Sequence, residues 1–463
     1  MDLERLFYPN SIAVVGASAR MGGGKVPFLL ILKLAGYKGK VYPVNPSHKE
    51  IDGVRVYPSL EAVPDEIDLA ICCVPARHAL ETIEDAVKKG IRFVHFFTSG
   101  FSEIGNRDLE KALIAAARKG KTRIIGPNCL GVHCTESRVT FDPTIMQEKP
   151  GSVAFMGQSG GVTNNFTRMA CARRILLNKV VSYGNQIDLA AEDFLEYFAQ
   201  DEEIKVIATY IEDIKDDRAF LNALSRITLN KPVVVLKGGI TAEGARAAVS
   251  HTGAMAGQQS VWSAVMRQYR CIEVQTQNQL VDVVMLATSD KIPRGPRVAY
   301  LGTGGGTSVL FADLAIMAGL SLPELSKRAQ DVISEKIPNV NTSTTNPVDL
   351  GAFGFDYRVM VHAMKAVDPE EHIDVIILYI MMDLLRIFKS EKVHTGMRAM
   401  AAVARDLSKP VVPIFETAAD NDPHLEQLRL MALAEFRDAG LPMYHSIEDA
   451  VGAISSIVRW SGQ

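Results

Sequence analysis

Six cysteines, Cys72, Cys73, Cys129, Cys134, Cys171 and Cys271, are too few and too irregularly placed for a disulfide framework, and none form a metal-spaced pair. Cys72 and Cys73 lie in the apolar run Leu69-Ala-Ile-Cys-Cys-Val74, which predicts buried, reduced thiols and a cytoplasmic protein. A basic excess is missing too. With 50 Lys and Arg against 53 Asp and Glu, the formal net charge of -3 argues against nucleic acid or anionic lipid as partners. No apolar run approaches the roughly 18 residues of a membrane span, and the start, Met1-Asp-Leu-Glu-Arg-Leu6, shows no signal-peptide pattern. No Walker A Gly-Lys-Ser/Thr is present either. What remains is an ordinary globular composition, 47% apolar and 22% charged, over a length that suits about three domains.

Short apolar runs alternate with turns and helical stretches, the pattern of a parallel α/β chain. Ser11-Ile-Ala-Val-Val15 precedes the glycine-rich turn Gly16-Ala-Ser-Ala-Arg-Met-Gly22-Gly-Gly24-Lys25, an apolar helix over 26–34 and the strand Lys40-Val-Tyr-Pro-Val44. Such a unit binds phosphate at a helix N-terminus. A nicotinamide dinucleotide site would want G-x-G-x-x-G and an acid ending the second strand. Here Gly16-Ala17-Ser18 breaks the spacing and Asn45-Pro46 supplies no carboxylate. A nucleotide carrying a further phosphate, such as coenzyme A, suits that strand end better.

The rest of the chain repeats itself. Ser152-Val-Ala-Phe-Met-Gly157-Gln-Ser-Gly160-Gly-Val-Thr163 is echoed by Arg297-Val-Ala-Tyr-Leu-Gly302-Thr-Gly-Gly-Gly-Thr-Ser308. Val206-Ile-Ala-Thr-Tyr-Ile211 is echoed by Val375-Ile-Ile-Leu-Tyr-Ile380, and Lys231-Pro-Val-Val234 by Lys409-Pro-Val-Val412. Two doubly wound flavodoxin-like domains are expected, over 150–290 and 296–463, after a Rossmann-like domain over 1–145. Lys291-Ile-Pro-Arg-Gly-Pro296 reads as a linker. The copies differ at one place. After the first Lys-Pro-Val-Val comes Gly238-Gly-Ile-Thr-Ala-Glu-Gly244-Ala-Arg246-Ala-Ala-Val-Ser-His251-Thr-Gly-Ala-Met-Ala-Gly257; after the second, Pro413-Ile-Phe-Glu-Thr-Ala-Ala-Asp-Asn421. The run around His251 reads either as a pliant arm carrying a nucleophilic imidazole or as an Ω-type loop with an incidental histidine.

Ser250-His251-Thr252-Gly253-Ala254-Met255-Ala256-Gly257, following Gly244-Ala245-Arg246, resembles the phosphohistidine loop of NDP-forming acyl-CoA synthetases, and the chain as a whole is similar to their α subunits. The resemblance implies an acid–CoA ligase interconverting acyl-CoA, phosphate and ADP with carboxylate, coenzyme A and ATP through an acyl phosphate and phosphorylated His251. It implies that Glu212, in preference to its neighbour Asp213, holds the imidazole, and that Gln158, Ser159, Gly160 and Gly161 cradle phosphate. Gly157 stands where such enzymes usually have serine. Coenzyme A contacts are implied at Gly16, Ser18, Asn45, Pro46, Val74, Pro75, Ser99 and Asn128, with Lys25 or Lys49 for its phosphates, since Ser47 departs from the usual lysine. Asn185 and Asp188, which follow another strand, could line the pocket of Glu212 and His251. In the third domain, Gly302-Thr-Gly-Gly-Gly-Thr307 and Asn346-Pro347-Val348-Asp349 match family features; the glycine run reads either as a phosphate cradle or as a sharp turn, and the turn and subunit-contact reading is preferred. His78, His362, His394 and His445 read as surface or structural. No ATP-grasp segment is found, which implies an ATP-grasp β subunit holding ADP or ATP with Mg²⁺ in a hetero-oligomer, for instance α2β2. The acyl group is not legible. The alternatives are a non-catalytic protein that binds coenzyme A or acyl-CoA, and a nicotinamide-dependent dehydrogenase.

Overall fold

The structure is a computed structural model describing residues 2–18, 26–227, 230–252, 259–338, 340–416 and 422–462, with side chains of 248–252 excepted. It divides into two compact units, Met1–Leu280 and Val281–Gln463. No described helix is long and apolar enough to cross a membrane.

The first unit holds two sheets. One is built from β1 (Ser11–Val15), β2 (Lys40–Val44), β5 (Leu69–Cys72), β6 (Phe93–Phe96) and β7 (Arg123–Ile125), in the order β2-β1-β5-β6-β7, with β3 (Glu50–Ile51) and β4 (Val54–Arg55) forming a separate ribbon. The other takes β8 (Gly131–Cys134), β9 (Val153–Gly157), β10 (Leu177–Ser182), β11 (Val206–Ile211), β12 (Val233–Lys237) and β13 (Ile272–Val274), in the order β13-β12-β11-β9-β10-β8. In the second unit β14 (Val298–Gly302), β15 (Val348–Asp349), β16 (Val375–Met381) and β17 (Val411–Glu416) run β15-β14-β16-β17.

Without the ribbon and the edge strand β8, each sheet sets its second strand outside its first and continues through the third and fourth. That order makes a crevice at the carboxyl ends, where the chain leaves the first strand in one direction and the third in the other. The first strands β1, β9 and β14 are buried throughout, as sheets covered on both faces require. The repeat seen in the sequence is a repeat in space: β9, β11 and β12 adjoin one another in parallel as β14, β16 and β17 do.

Two features depart from the sequence reading. Residues 131–134, assigned by pattern to the first domain, pair antiparallel with β10 and so extend the second sheet (His133 opposite Val180). The small-residue run before His251, read as an arm or loop, forms a helix over Ala242–Thr252. Four alanines within it explain the gain, since alanine loses least on entering a helix. The two sheets of this unit are joined along 184–189. Gly184 (φ +52) passes so close to β7's exit that a Cβ there would lie 2.1 Å from the Pro127 carbonyl. Asn185, Ile187 and Leu189 donate backbone N–H bonds to Pro127, Gly126 and Ile124.

Candidate functional site

At the carboxyl end of the first sheet, a cleft of about 480 Å³ is lined by Gly16, Ser18, Asn45, Pro46, Val74 and Pro75, together with Ser47, His48 and His78. Gly16 (φ +79) brings the first turn against the third strand's exit, leaving a Cβ only 2.8 Å from Val74 Cγ1. The Asn45 side chain ties the two walls: its amide donates to the Ala17 carbonyl at 3.0 Å and its oxygen accepts the Ser47 N–H at 2.9 Å. Six of the sequence-derived contacts therefore share one cavity. Ser99 and Asn128 do not line it. They sit on the neighbouring loops, which are laced in series: Thr98 Oγ1 donates to the Val74 carbonyl at 2.7 Å and the Asn128 N–H to the Thr98 carbonyl at 3.0 Å. Lys25 lies outside the described residues, and Lys49 is exposed. His78, read as structural, is a cleft residue.

The second sheet brings three segments to one end. Parallel registers place Tyr210 beside Gly157 on one side and Ile211 beside Lys237 on the other. Ser159 caps the helix Gly160–Ala172, its hydroxyl accepting the Val162 N–H at 3.3 Å. The N–H groups of Gly160 and Gly161, at the start of that helix, have no carbonyl one turn back within it to accept them. Gly157 is closed to the expected serine, since a Cβ would meet Thr163 Oγ1 at 2.6 Å and the Phe155 ring at 2.9 Å. Gln158, read as a phosphate ligand, instead turns its buried side-chain oxygen onto the backbone N–H groups of Glu212 and Asp213, the latter at 2.8 Å.

Glu212 is buried, with Oε1 accepting from the Tyr210 hydroxyl at 3.0 Å. Gln186 donates its amide to the Asp213 carbonyl at 3.0 Å, and Lys237 Nζ donates to the Glu212 carbonyl at 2.8 Å. Burial pushes the Lys237 ammonium below its usual range against the pull of Asp213 and Glu212. Glutamine and tyrosine carry no local sequence signal for such contacts, so Gln186 and Tyr210 were invisible to pattern. The helix Ala242–Thr252 lies beside the 102–104 turn, and the side chain of His251 is outside the described residues.

Asn185 and Asp188, expected to line this pocket, serve elsewhere. The Asn185 amide donates to Ser102 at 3.2 Å, Glu103 at 2.8 Å and Glu110 at 2.9 Å. Asp188 pairs with Arg123 at 2.8 Å and accepts the Ile124 N–H at 2.8 Å. In the third sheet the glycine run is already supplied with an acid: Asp349 Oδ1 accepts the N–H groups of Gly304 and Gly351, each at 2.9 Å. Asn346 bonds Tyr300, Val298 and Pro323, which explains the matched motif as a structural tie. No group of three or more His, Cys, Asp or Glu among the described residues could hold a metal ion.

Comparison with known proteins fits this geometry. A CoA binding domain matches residues 10–135, and a succinyl-CoA ligase-like flavodoxin domain matches residues 150–287. The chain is 33% identical to the alpha subunit of acetate–CoA ligase (ADP-forming) I of Pyrococcus furiosus, covering 100% of this chain and 98% of the relative. It is 33% identical to acetate–CoA ligase (ADP-forming) II of Archaeoglobus fulgidus over 99% of this chain but 67% of that protein. Among solved structures it matches the dinucleotide-forming acetyl-coenzyme A synthetase 1 of Ca. Korarchaeum cryptofilum in complex with phosphate and ADP, with a TM-score of 0.87 and 31% identity, covering 100% of this chain and 97% of that one.

Proposed function

We propose a phosphohistidine relay from one premise: the chain belongs to the ADP-forming acetate–CoA ligase family, as an alpha subunit, and is part of an acid–thiol ligase. Membership sets aside the non-catalytic and dehydrogenase readings. The observation that carries the relay is the meeting, at one end of the second sheet, of a helix N-terminus, a buried and braced Glu212, and the strand that leads into the helix bearing His251.

The work divides as follows. Coenzyme A occupies the cleft of Gly16, Ser18, Asn45, Pro46, Val74 and Pro75, whose volume and close backbone approach fit a nucleotide, with His48, His78 and Lys25 or Lys49 toward its phosphates. Ser99 and Asn128 present the thioester end. Phosphate attacks the acyl carbon, the C–S bond breaks, and an acyl phosphate and free coenzyme A result. His251 then takes the phosphoryl group while the carboxylate leaves; the P–N bond next breaks as a terminal oxygen of the ADP β-phosphate bonds the phosphorus, giving ATP and free His251. The Gly160 and Gly161 N–H groups and the Ser159 cap hold the phosphoryl oxygens. Glu212 fixes the imidazole tautomer and balances its charge. Each transfer is mostly positioning and charge stabilisation.

The nucleotide and Mg²⁺ sit on a separate β subunit of the ATP-grasp type. In support, about a third of the Archaeoglobus relative lies beyond the part matched here. A cytoplasmic hetero-oligomer such as α2β2, and the three domains read from the sequence with residues 131–134 given to the second, complete the reading. The test is labelling. With the β subunit supplied, radiolabelled ATP should place an acid-labile phosphoryl group on the wild-type chain and none on His251→Ala; a label that survives in the variant rejects the relay.

A further inference from the structure

Tyr210 is the penultimate residue of β11, and Glu212 follows immediately after the strand's last residue, Ile211. The Tyr210 hydroxyl donates to Glu212 Oε1 at 3.0 Å. Burial, reinforced by the neighbouring Glu212 charge, holds the Tyr210 hydroxyl above its ordinary range, so it keeps its proton and acts as the donor. Across the sheet, Gly238 opens the segment that leads to His251, and its N–H donates to the Ile211 carbonyl at 2.8 Å. A Cβ at Gly238 would lie 2.4 Å from the Tyr210 hydroxyl oxygen, 2.9 Å from its Cζ and 3.2 Å from Glu212 Cγ. The φ of Gly238 is not in the left-handed region, so space, not backbone conformation, demands glycine here.

We propose that Tyr210 is a positioning residue for phosphoryl transfer: its hydroxyl aims the Glu212 carboxylate, and Gly238 leaves that hydroxyl its place. This rests on the reading of Glu212 and His251 given above. Lys237 closes the arrangement from the other side, with Nζ bonded to the carbonyls of Glu212 at 2.8 Å and Gly238 at 2.5 Å. The root of the His251 segment and the acid that serves His251 are thus one packed unit. A carboxylate swung away from its donor would meet the imidazole at the wrong angle. Conserving that angle raises turnover without changing how substrates bind.

The experiment is a double-mutant cycle on the complete enzyme with its β subunit, reading kcat, KM for phosphate and coenzyme A, and the rate of acid-labile labelling. Tyr210→Phe, which removes one oxygen, should lower kcat and the labelling rate about 10- to 100-fold, the usual loss when a positioning partner goes, with KM within about twofold. Gly238→Ala should do the same by displacing an intact hydroxyl. The double variant should lose less than the product of the two single losses, because the closest obstructed atom, the hydroxyl oxygen, is gone while Tyr210 Cζ and Glu212 Cγ still crowd the new methyl. Wild-type kcat in Tyr210→Phe, or losses that multiply in the double variant, would overturn the proposal. Glu212→Gln separates the levels. If it labels like wild type, the parent reading fails; if it is dead while Tyr210→Phe turns over normally, only the inference about Tyr210 fails.

Discussion

Gln158 grips the segment that carries Glu212: its side-chain oxygen accepts the Asp213 N–H at 2.8 Å as well as the N–H of Glu212 itself. A glutamine that follows a strand and precedes a helix cap would be expected to face the anion, yet this one is nearly inaccessible and braces the neighbouring strand's exit. Gln158→Leu leaves one buried and one half-buried donor without this acceptor, and a buried unsatisfied donor costs about 1–3 kcal/mol. The expected result is a lower urea midpoint for the Met1–Leu280 unit and a slower phosphohistidine step. Gln158→Glu keeps an acceptor at the same reach but sets a charge beside Glu212 and Asp213. It should fold better than Gln158→Leu while raising KM for phosphate. Equal stability of wild type and Gln158→Leu would show that the brace carries no weight.

Gly16 separates crowding from backbone strain in the cleft. An alanine there meets Val74 Cγ1 at 2.8 Å and the Cys73–Val74 backbone at 3.2 Å, at a φ of +79. Gly90 has nearly the same φ, +76, but nothing within 4 Å of its added Cβ. Both alanine variants should lose about 1–2 kcal/mol from the left-handed conformation. Only Gly16→Ala should also push the 73–75 wall into the cavity, and its coenzyme A dissociation constant should rise at least about tenfold by calorimetric titration. Matched affinities in the two variants would mean that coenzyme A does not use this wall.

The parts of this fold legible in the sequence are those that short-range pattern controls. Buried parallel strands such as β9 and β14 are continuous apolar runs, and the repeat declared itself because both copies needed the same runs in the same order. The turn at Gly16 and the strand end at Asn45 were found because glycine and asparagine do there what only they do easily. What pattern missed was set by register. Gln158, Gln186 and Tyr210 meet the 212–213 segment only because three parallel strands end side by side. The antiparallel edge β8 has the same composition as a parallel strand, so its partner could not be read. The third sheet is the sharpest case. Its glycine run mimics the phosphate loop of the second, but Asp349, brought in from a neighbouring strand far along the chain, already accepts one of the N–H groups such a loop would offer, that of Gly304.

Two buried histidines should make the first unit sensitive to mild acid. His95 Nε2 sits 3.1 Å from the Cys129 carbonyl with Phe28 against its ring, and His133 places its nitrogens 2.9 Å from Thr140 Oγ1 and 3.2 Å from Thr135 Oγ1. Burial pushes both rings down from 6.5 to about 4, with Arg138 adding to the effect at His133 and Asp142 opposing it. The folded state therefore binds the proton less readily than the unfolded chain. Stability is full above about pH 6.5 and is lost as pH falls toward 4, because the unfolded state takes up protons the native state refuses. The stake is about 3 kcal/mol per ring. Urea unfolding of the wild type should show its midpoint dropping between pH 6.5 and 4.5, above the range where ordinary carboxylates titrate. His133→Asn, which keeps hydrogen-bonding capacity without a titrating group, should weaken that slope by about half while lowering stability at pH 7. A wild-type midpoint that stays level across this window would show that the rings are charged, or solvated, in the folded protein.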